Sequence, residues 1–242
     1  MSENNTKKSG LQGNSTLPPV KDRVGNNGRE TPESDFVLKG SKQKHYSAKE
    51  VIYRESERVD KIYLIRSGLV KLLSYLPNGR VRIVRLQTRD NWSGLEGLVG
   101  QLYEHTAIAV GEVEVEYVSI SSLHLLERES PGEYCQVLKQ GYKHLAQADK
   151  WIADFSTGDI KSRVARLLEF LAELNHDHGE LSGSVQLLTV HEMADILGVT
   201  PESVSRIVAA FKRRNILQRQ VDSIREIYTL DTVGLHREVR TN

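Results

Sequence analysis

Residues Leu188 to Leu217 read LTVHEMADILGVTPESVSRIVAAFKRRNIL, and this stretch decides the fold. Thr189 is placed to cap a short helix, with Glu192 three residues on completing a capping box. Met193, Ala194 and Leu197 fall on one face of that helix, and Ala194 is small where a second helix would cross. Gly198 follows, a residue able to take positive φ where the chain must reverse in three or four residues. Thr200 then caps a second helix and Pro201 takes its first position, where a missing N–H costs nothing. Val204, Ile207, Val208 and Phe211 make its inner face, so the stretch predicts a helix-turn-helix.

The outer face of the second helix presents Glu202, Ser203, Ser205 and Arg206 at its N-terminal end, where a recognition helix meets base edges. Arg206 can donate two hydrogen bonds to guanine O6 and N7, a contact worth roughly 1–3 kcal/mol of discrimination, and Glu202 can accept from cytosine N4. Together they specify a G·C pair. Between Thr200 and Gln220 five basic residues face one acidic residue. Lys212, Arg213, Arg214 and Arg219, with the cap residues Thr189 and Thr200, are the predicted phosphate contacts. A helical hairpin with a solvated charged face is the plainer reading, and the glycine turn, caps, small crossing residue and polar tip argue jointly against it. Ile224 to Leu230 alternates like a strand and would pair with the residues after Leu217 as a wing.

Outward from this motif, 242 residues suit one or two domains. With 33 basic and 32 acidic side chains, nucleic-acid binding must come from local clustering of charge. The single cysteine, Cys135, forms no intramolecular disulfide and no Cys-x-x-Cys metal site. No apolar run is long enough for a membrane span and the N-terminus lacks a secretory pattern, so a cytoplasmic protein with no membrane partner is expected. We find no nucleophile–base pair, glycine-rich phosphate loop or metal-ligand spacing, which argues against an enzyme.

Residues 1–35 are rich in Asn, Gly, Ser and Lys, with five basic and five acidic residues, and read as a flexible tail. Between Tyr46 and about Leu126 short apolar runs (Ile62–Ile65, Val70–Leu73, Val81–Val84, Val113–Val118) read as strands, with Asn78-Gly79 as a hairpin turn. Many short strands interrupted by glycines suggest a jelly roll, a sensory β-roll over residues 36–130. From Pro131 the period changes. Tyr134, Leu138, Gly141, Leu145, Ala148, Ile152 and Phe155 repeat at steps of four and three, a heptad seam over residues 131–157. Such a seam suits a symmetric partner chain, with packing on the β-domain as the alternative. Asp159 caps a further amphipathic helix carrying Ile160, Val164, Leu167, Leu168, Leu171 and Leu174, and residues 158–242 complete a winged helix-turn-helix domain.

This order of parts, over about Lys42 to Leu235, resembles the CRP/FNR superfamily of bacterial transcription regulators. Its most specific portion, Pro201-Glu202-Ser203-Val204-Ser205-Arg206, is similar to the Glu-x-x-Ser-Arg recognition element of the fumarate-nitrate branch. The resemblance implies an α+β homodimer that binds an inverted TTGAT-like repeat, with half-sites about one helical turn, ~34 Å, apart. It also implies RNA polymerase as a partner, with the hairpin Pro77-Asn78-Gly79-Arg80 as a contact.

At the sensor end the family's cyclic-AMP pocket has a Gly-Glu-Leu run and a phosphate-gripping Arg-Ser pair. Here the corresponding residues are Gly94-Leu95-Glu96-Gly97-Leu98 and His105-Thr106. Gly94, Glu96, His105 and Thr106 are the candidate effector residues. Without the arginine, weak or no cyclic-AMP binding is expected, because neutral histidine supplies no charged fork. The four cysteines of a fumarate-nitrate cluster are absent from this sequence. Other candidate signals are haem on a histidine (His45, His105, His124 or His144), oxidation of Cys135, an unidentified anionic or small metabolite in the roll, or no ligand at all, with control by abundance. No cofactor is predicted as the default. A cyclic-nucleotide-responsive activator and a scaffold without DNA are the competing functions; the base-reading helix counts against the scaffold.

Overall fold

The first half of the chain consists of strands short enough to close on themselves. The computed structural model describes residues 40–177, 184–220 and 227–240. Eight strands, β1 (Lys42–Tyr46), β2 (Val51–Tyr53), β3 (Lys61–Ser67), β4 (Val70–Tyr75), β5 (Val81–Gln87), β6 (Trp92–Ser93), β7 (Thr106–Ala109) and β8 (Val113–Ser119), form two antiparallel four-stranded sheets. Their orders are β1-β8-β3-β6 and β2-β7-β4-β5, the double-sheet jelly roll expected from the sequence. Inward side chains such as Tyr46, Ile65, Val70, Ala107, Val113 and Val115 are buried between the sheets. The tail expected over residues 1–35 lies outside the described residues.

The strands of the β-roll end earlier than the sequence suggests. Ile120–Glu129 is a helix, α1, whose N-cap Ser119 accepts the Ser122 N–H, so the strands stop at Ser119 and not near Leu126. α2 (Pro131–Ser156) begins with proline in its first turn and runs 26 residues. α3 (Ile160–Asp177) follows a turn in which Asp159 accepts the Lys161 and Ser162 N–H groups, the predicted cap. Two arginines of α3 tie this corner: Arg163 Nε donates to the Phe155 carbonyl (2.8 Å) and Arg166 Nε to that of Asp154 (2.7 Å). They satisfy carbonyls that the end of α2 leaves without helical partners.

β9 (Ser184–Gln186), α4 (Val190–Leu197), α5 (Pro201–Arg213), β10 (Leu217–Arg219), β11 (Ile227–Leu230) and α6 (Thr232–Arg240) complete the chain. β11 pairs antiparallel with both β10 and β9, giving the wing. Residues 224–226 of the expected wing strand, and most of the loop expected after Asn175, lie outside the described residues.

The helical part packs directly on the roll, through the outer face of the β4–β5 hairpin. Leu73, Ile83 and Leu86 share one core with Val164, Leu168, Ile196 and Phe211. Beside them Lys71 Nζ reaches the Glu192 carboxylate at 2.6 Å. Glu192 is also the capping-box residue, taking the Thr189 N–H at 3.1 Å. Burial pushes its carboxyl up, but the bonds from Lys71 and Thr189 outweigh that and hold it below the usual range. One carboxylate thus closes a helix terminus and fastens two parts of the fold. Glu192→Ala is expected to lower stability by about 1–2 kcal/mol in urea unfolding, and Glu192→Gln, which keeps an acceptor, by less.

Candidate nucleic-acid interface and effector pocket

The helix-turn-helix is built as its local signals dictate. Thr189 Oγ1 accepts the Glu192 N–H, Gly198 adopts φ 64° after α4, and Thr200 Oγ1 accepts the Ser203 N–H at the start of α5. Met193, Ala194 and Leu197 from α4 are buried against Val204, Val208 and Phe211 from α5, with Ile207 half-buried at the edge. A side chain at Gly198 would run into the Arg82 guanidinium of β5, so the turn is closely covered as well as left-handed.

With its apolar face committed, α5 turns Glu202, Ser205 and Arg206 outward, all three exposed. Ser203 is half-buried, and its hydroxyl is 3.1 Å from that of Thr200, so it serves the cap as well as the surface. The Glu202 carboxyl is held below its usual range by its own backbone N–H and by the Thr200 hydroxyl, so it is an anionic acceptor at neutral pH. The predicted phosphate cations divide. Arg213 is exposed, whereas Lys212 donates to the Tyr228 hydroxyl (2.8 Å) and lies over that ring. Arg214 is ion-paired with Glu238 of α6, as is Lys161. Arg219 is exposed on β10. The Thr189 hydroxyl is engaged with Glu192 (2.8 Å).

The heptad seam sorts into two faces of α2. Leu138, Leu145 and Ile152, seven residues apart, are 48%, 61% and 58% exposed, and Tyr142 beside them is 75% exposed. Tyr134, Gly141 and Ala148 are half-buried along the same stripe. Phe155 does not belong to it. It is buried in its own chain, edge-on to Trp151 and Phe170, because α2 meets α3 at that point.

Inside the roll a cavity of about 160 Å³ brings together Gly94, Glu96 and His105 of the predicted effector residues. Thr106 is not among its lining residues: its hydroxyl is buried and accepts the Glu55 N–H at 3.0 Å. Reading the sequence missed two polar contributors, Arg85 and Gln87, and named a third, His144, only as a candidate haem ligand. Arg85 comes from β5, where the pairing with β4 skips Val84, so that Leu72 lies opposite Arg85 and Leu73 opposite Ile83. This bulge sets Arg85 on the inner face with Leu72, while Ile83 and Leu73 face the helical domain. His144 comes from α2, and its Nε2 accepts the Trp92 N–H at 3.1 Å. Burial, and then the nearby Arg85 charge, push its imidazole down to about 4, so it is neutral. His105 is likewise lowered, by burial first, against the opposing pull of Glu104 and Glu96. Of the other histidines considered, His45 pairs with Glu112 at 3.1 Å and His124 is exposed. Cys135 is exposed on α2.

Comparison with known proteins bears on both halves. A model of the cyclic nucleotide-binding domain matches residues 43–130, and one of the Crp-like helix-turn-helix domain matches residues 162–238. The chain belongs to the CRP/FNR superfamily. This CRP/FNR regulator is similar to the transcriptional regulator LdrP of Thermus thermophilus, 28% identical over 197 residues that cover 81% of this chain and 95% of LdrP. A solved CRP-family transcriptional regulator from the same organism superposes with a TM-score of 0.66 at 26% identity, covering 81% of this chain and 96% of that one. FixK2 from Bradyrhizobium japonicum shares the fold at a TM-score of 0.68 and 24% identity, covering 81% of this chain and 96% of that one. LdrP and the solved Thermus thermophilus protein are transcriptional regulators, and the chain is a regulator with a DNA-binding helix-turn-helix. No helix among the described residues is long and apolar enough to cross a membrane.

Proposed function

We propose that this protein is a cytoplasmic homodimer that reads an inverted TTGAT-like repeat in the major groove through Glu202, Ser205 and Arg206. The observation that carries this reading is the amphipathic division of α5: Val204, Val208 and Phe211 are fully committed to the core, which leaves those three polar groups exposed at the N-terminal end of the helix. Ser203 joins them at the edge. Arg213, exposed at the end of α5, is the best-placed phosphate contact, and Thr189, Thr200, Lys212, Arg214 and Arg219 contribute backbone and longer-range charge. The exposed stripe of Leu138, Leu145 and Ile152 supports pairing of two α2 helices.

Signal reception belongs to the β-roll cavity, without haem. At about 160 Å³ the cavity is well below the ~300–1,000 Å³ of pockets that enclose drug-sized ligands, and a porphyrin is larger than most of those. The hairpin Pro77–Arg80, exposed at the tip of β4–β5 beside exposed Tyr75 and Leu76, is the proposed RNA polymerase contact.

Anisotropy titrations on duplexes test this reading. The inverted repeat should bind at least ~10³-fold more tightly than a scrambled duplex, with affinity falling steeply as salt rises. Inserting about five base pairs between the half-sites should remove most of that preference, because it turns one half-site to the opposite side of the duplex. Equal affinity for repeat and scrambled duplex would refute sequence-specific reading.

A further inference from the structure

We infer that the β-roll cavity binds a small, singly charged oxyanion, the carboxylate of a compact metabolite, with Arg85 as its cationic anchor. The inference deepens the proposed function by naming the class of effector. Among the described residues Arg85 makes no ion pair and no hydrogen bond, although it lines a cavity and its guanidinium offers five N–H donors. Its charge is held against a desolvation cost that lowers its pKa, which outweighs the favourable pull of Tyr53 and Glu96. Unpaired charge in such a place is unfavourable unless a ligand completes it.

Gln87 and Ser93 in the same wall are already satisfied. Gln87 Nε2 donates to the Trp92 carbonyl (2.8 Å) and its oxygen accepts from Ser93 Oγ (2.9 Å), while Ser93 also meets the Tyr53 hydroxyl. Arg85 is therefore the one lining cation among the described residues, with donors to spare beside the fixed Gln87 and Ser93.

The cavity does not fit a cyclic nucleotide. Where the resemblance places the phosphate, this chain has neutral His105 with Glu96 and Glu104 beside it, and Glu96 holds the Glu104 N–H at 3.3 Å. Two carboxylates beside a neutral imidazole disfavour a doubly esterified phosphate at that position, which leaves the Arg85 cation to hold a smaller anion. Near Arg85 a carboxylate can take a bidentate fork, and a space of about 160 Å³ admits only a few heavy atoms beyond it. His144 of α2 shares the wall, so an occupant touches the helix that carries the exposed Leu138–Ile152 stripe.

Trp92 lines the cavity and Trp151 is the only other tryptophan, so W151F protein reports occupancy through Trp92 fluorescence. It is titrated, without DNA, with acetate, propionate and benzoate, with inorganic phosphate, and with cyclic AMP. We expect at least one carboxylate to bind with Kd at or below ~1 mM and more tightly than phosphate or cyclic AMP. Arg85→Gln should weaken it about tenfold or more, while Arg89→Gln, an exposed neighbour, leaves it unchanged. Because Arg85→Gln removes an unpaired, desolvated charge, its melting temperature should be equal to the parent's or higher, which separates lost binding from lost folding. No carboxylate binding up to ~20 mM, equal binding by Arg85→Gln, or tighter binding of phosphate or cyclic AMP would overturn the inference. None of these results bears on base reading, which is measured separately on duplexes.

Discussion

Replacing Leu145 and Ile152 together by glutamate is expected to give a folded monomer whose affinity for the inverted repeat is lower by about 10²–10⁴-fold. In the protomer these side chains are 61% and 58% exposed, so their replacement removes little internal packing and the monomer should keep its structure. In a pair of α2 helices related by a two-fold axis, each residue meets its own counterpart or a near neighbour, and the substitution sets like charges in an apolar seam. That arrangement costs several kcal/mol, enough to dissociate the pair at micromolar concentration. DNA affinity falls because two linked half-site contacts become one. Analytical ultracentrifugation and anisotropy on the same samples check both consequences. A variant that stays dimeric would show that the stripe is not the interface. Phe155, buried against Trp151 and Phe170, serves as the contrast: its truncation should destabilise the protomer by about 3–5 kcal/mol.

The second large effect concerns His144. Its Nε2 must be unprotonated to accept the Trp92 N–H, and its pKa falls from 6.5 in the open chain to about 4 in the folded protein. The unfolded state therefore binds the proton more readily between those values. The stability from this group is complete above about pH 6.5 and is lost as pH falls toward about 4, up to roughly 3 kcal/mol in all. Arg85 is the charged neighbour that adds to burial in lowering the value. Urea unfolding at about pH 7 and pH 4.5 should show the parent losing about 2–3 kcal/mol more than His144→Gln, which keeps an acceptor but does not titrate. Equal losses in the two proteins would mean that the imidazole is not held neutral at this junction.

The helix-turn-helix was legible because its signals are local. Thr189 with Glu192, Gly198 at φ 64°, and Thr200 with Pro201 each act within three or four residues, and the structure realises all of them. The two-sheet roll was legible from alternation and from the Asn78-Gly79 turn. α1 was not, because its ten residues lie between a strand and Pro131 and contain too few turns to establish a period; Ser119 as its cap was the available signal. Phe155 continues the seven-residue spacing of the seam, and only its packing against Phe170 of α3 turns it inward. Arg85 was hidden by the bulge at Val84, which breaks the two-residue alternation that assigns a strand residue to a face. Lys71 and Glu192 are 121 residues apart, and no local pattern announces their meeting.

That meeting gives the β4–β5 hairpin two roles. Its inner face, with Leu72 and Arg85, lines the cavity, and its outer face, with Lys71, Leu73 and Ile83, carries the domain from which α5 projects. A ligand that moves this hairpin acts on both sides of one sheet, a short mechanical path between signal and reading head.

The central claim, that α5 reads bases, is tested most directly by measuring binding to every single-base-pair variant of one half-site with the parent protein and with Arg206→Ala. The account predicts that the parent loses about 1–3 kcal/mol when the G·C pair is changed, and that Arg206→Ala is indifferent at that pair while discriminating at the others. If Arg206→Ala keeps the parent's full discrimination at every position, the helix does not read the site through this guanidinium and the account is contradicted.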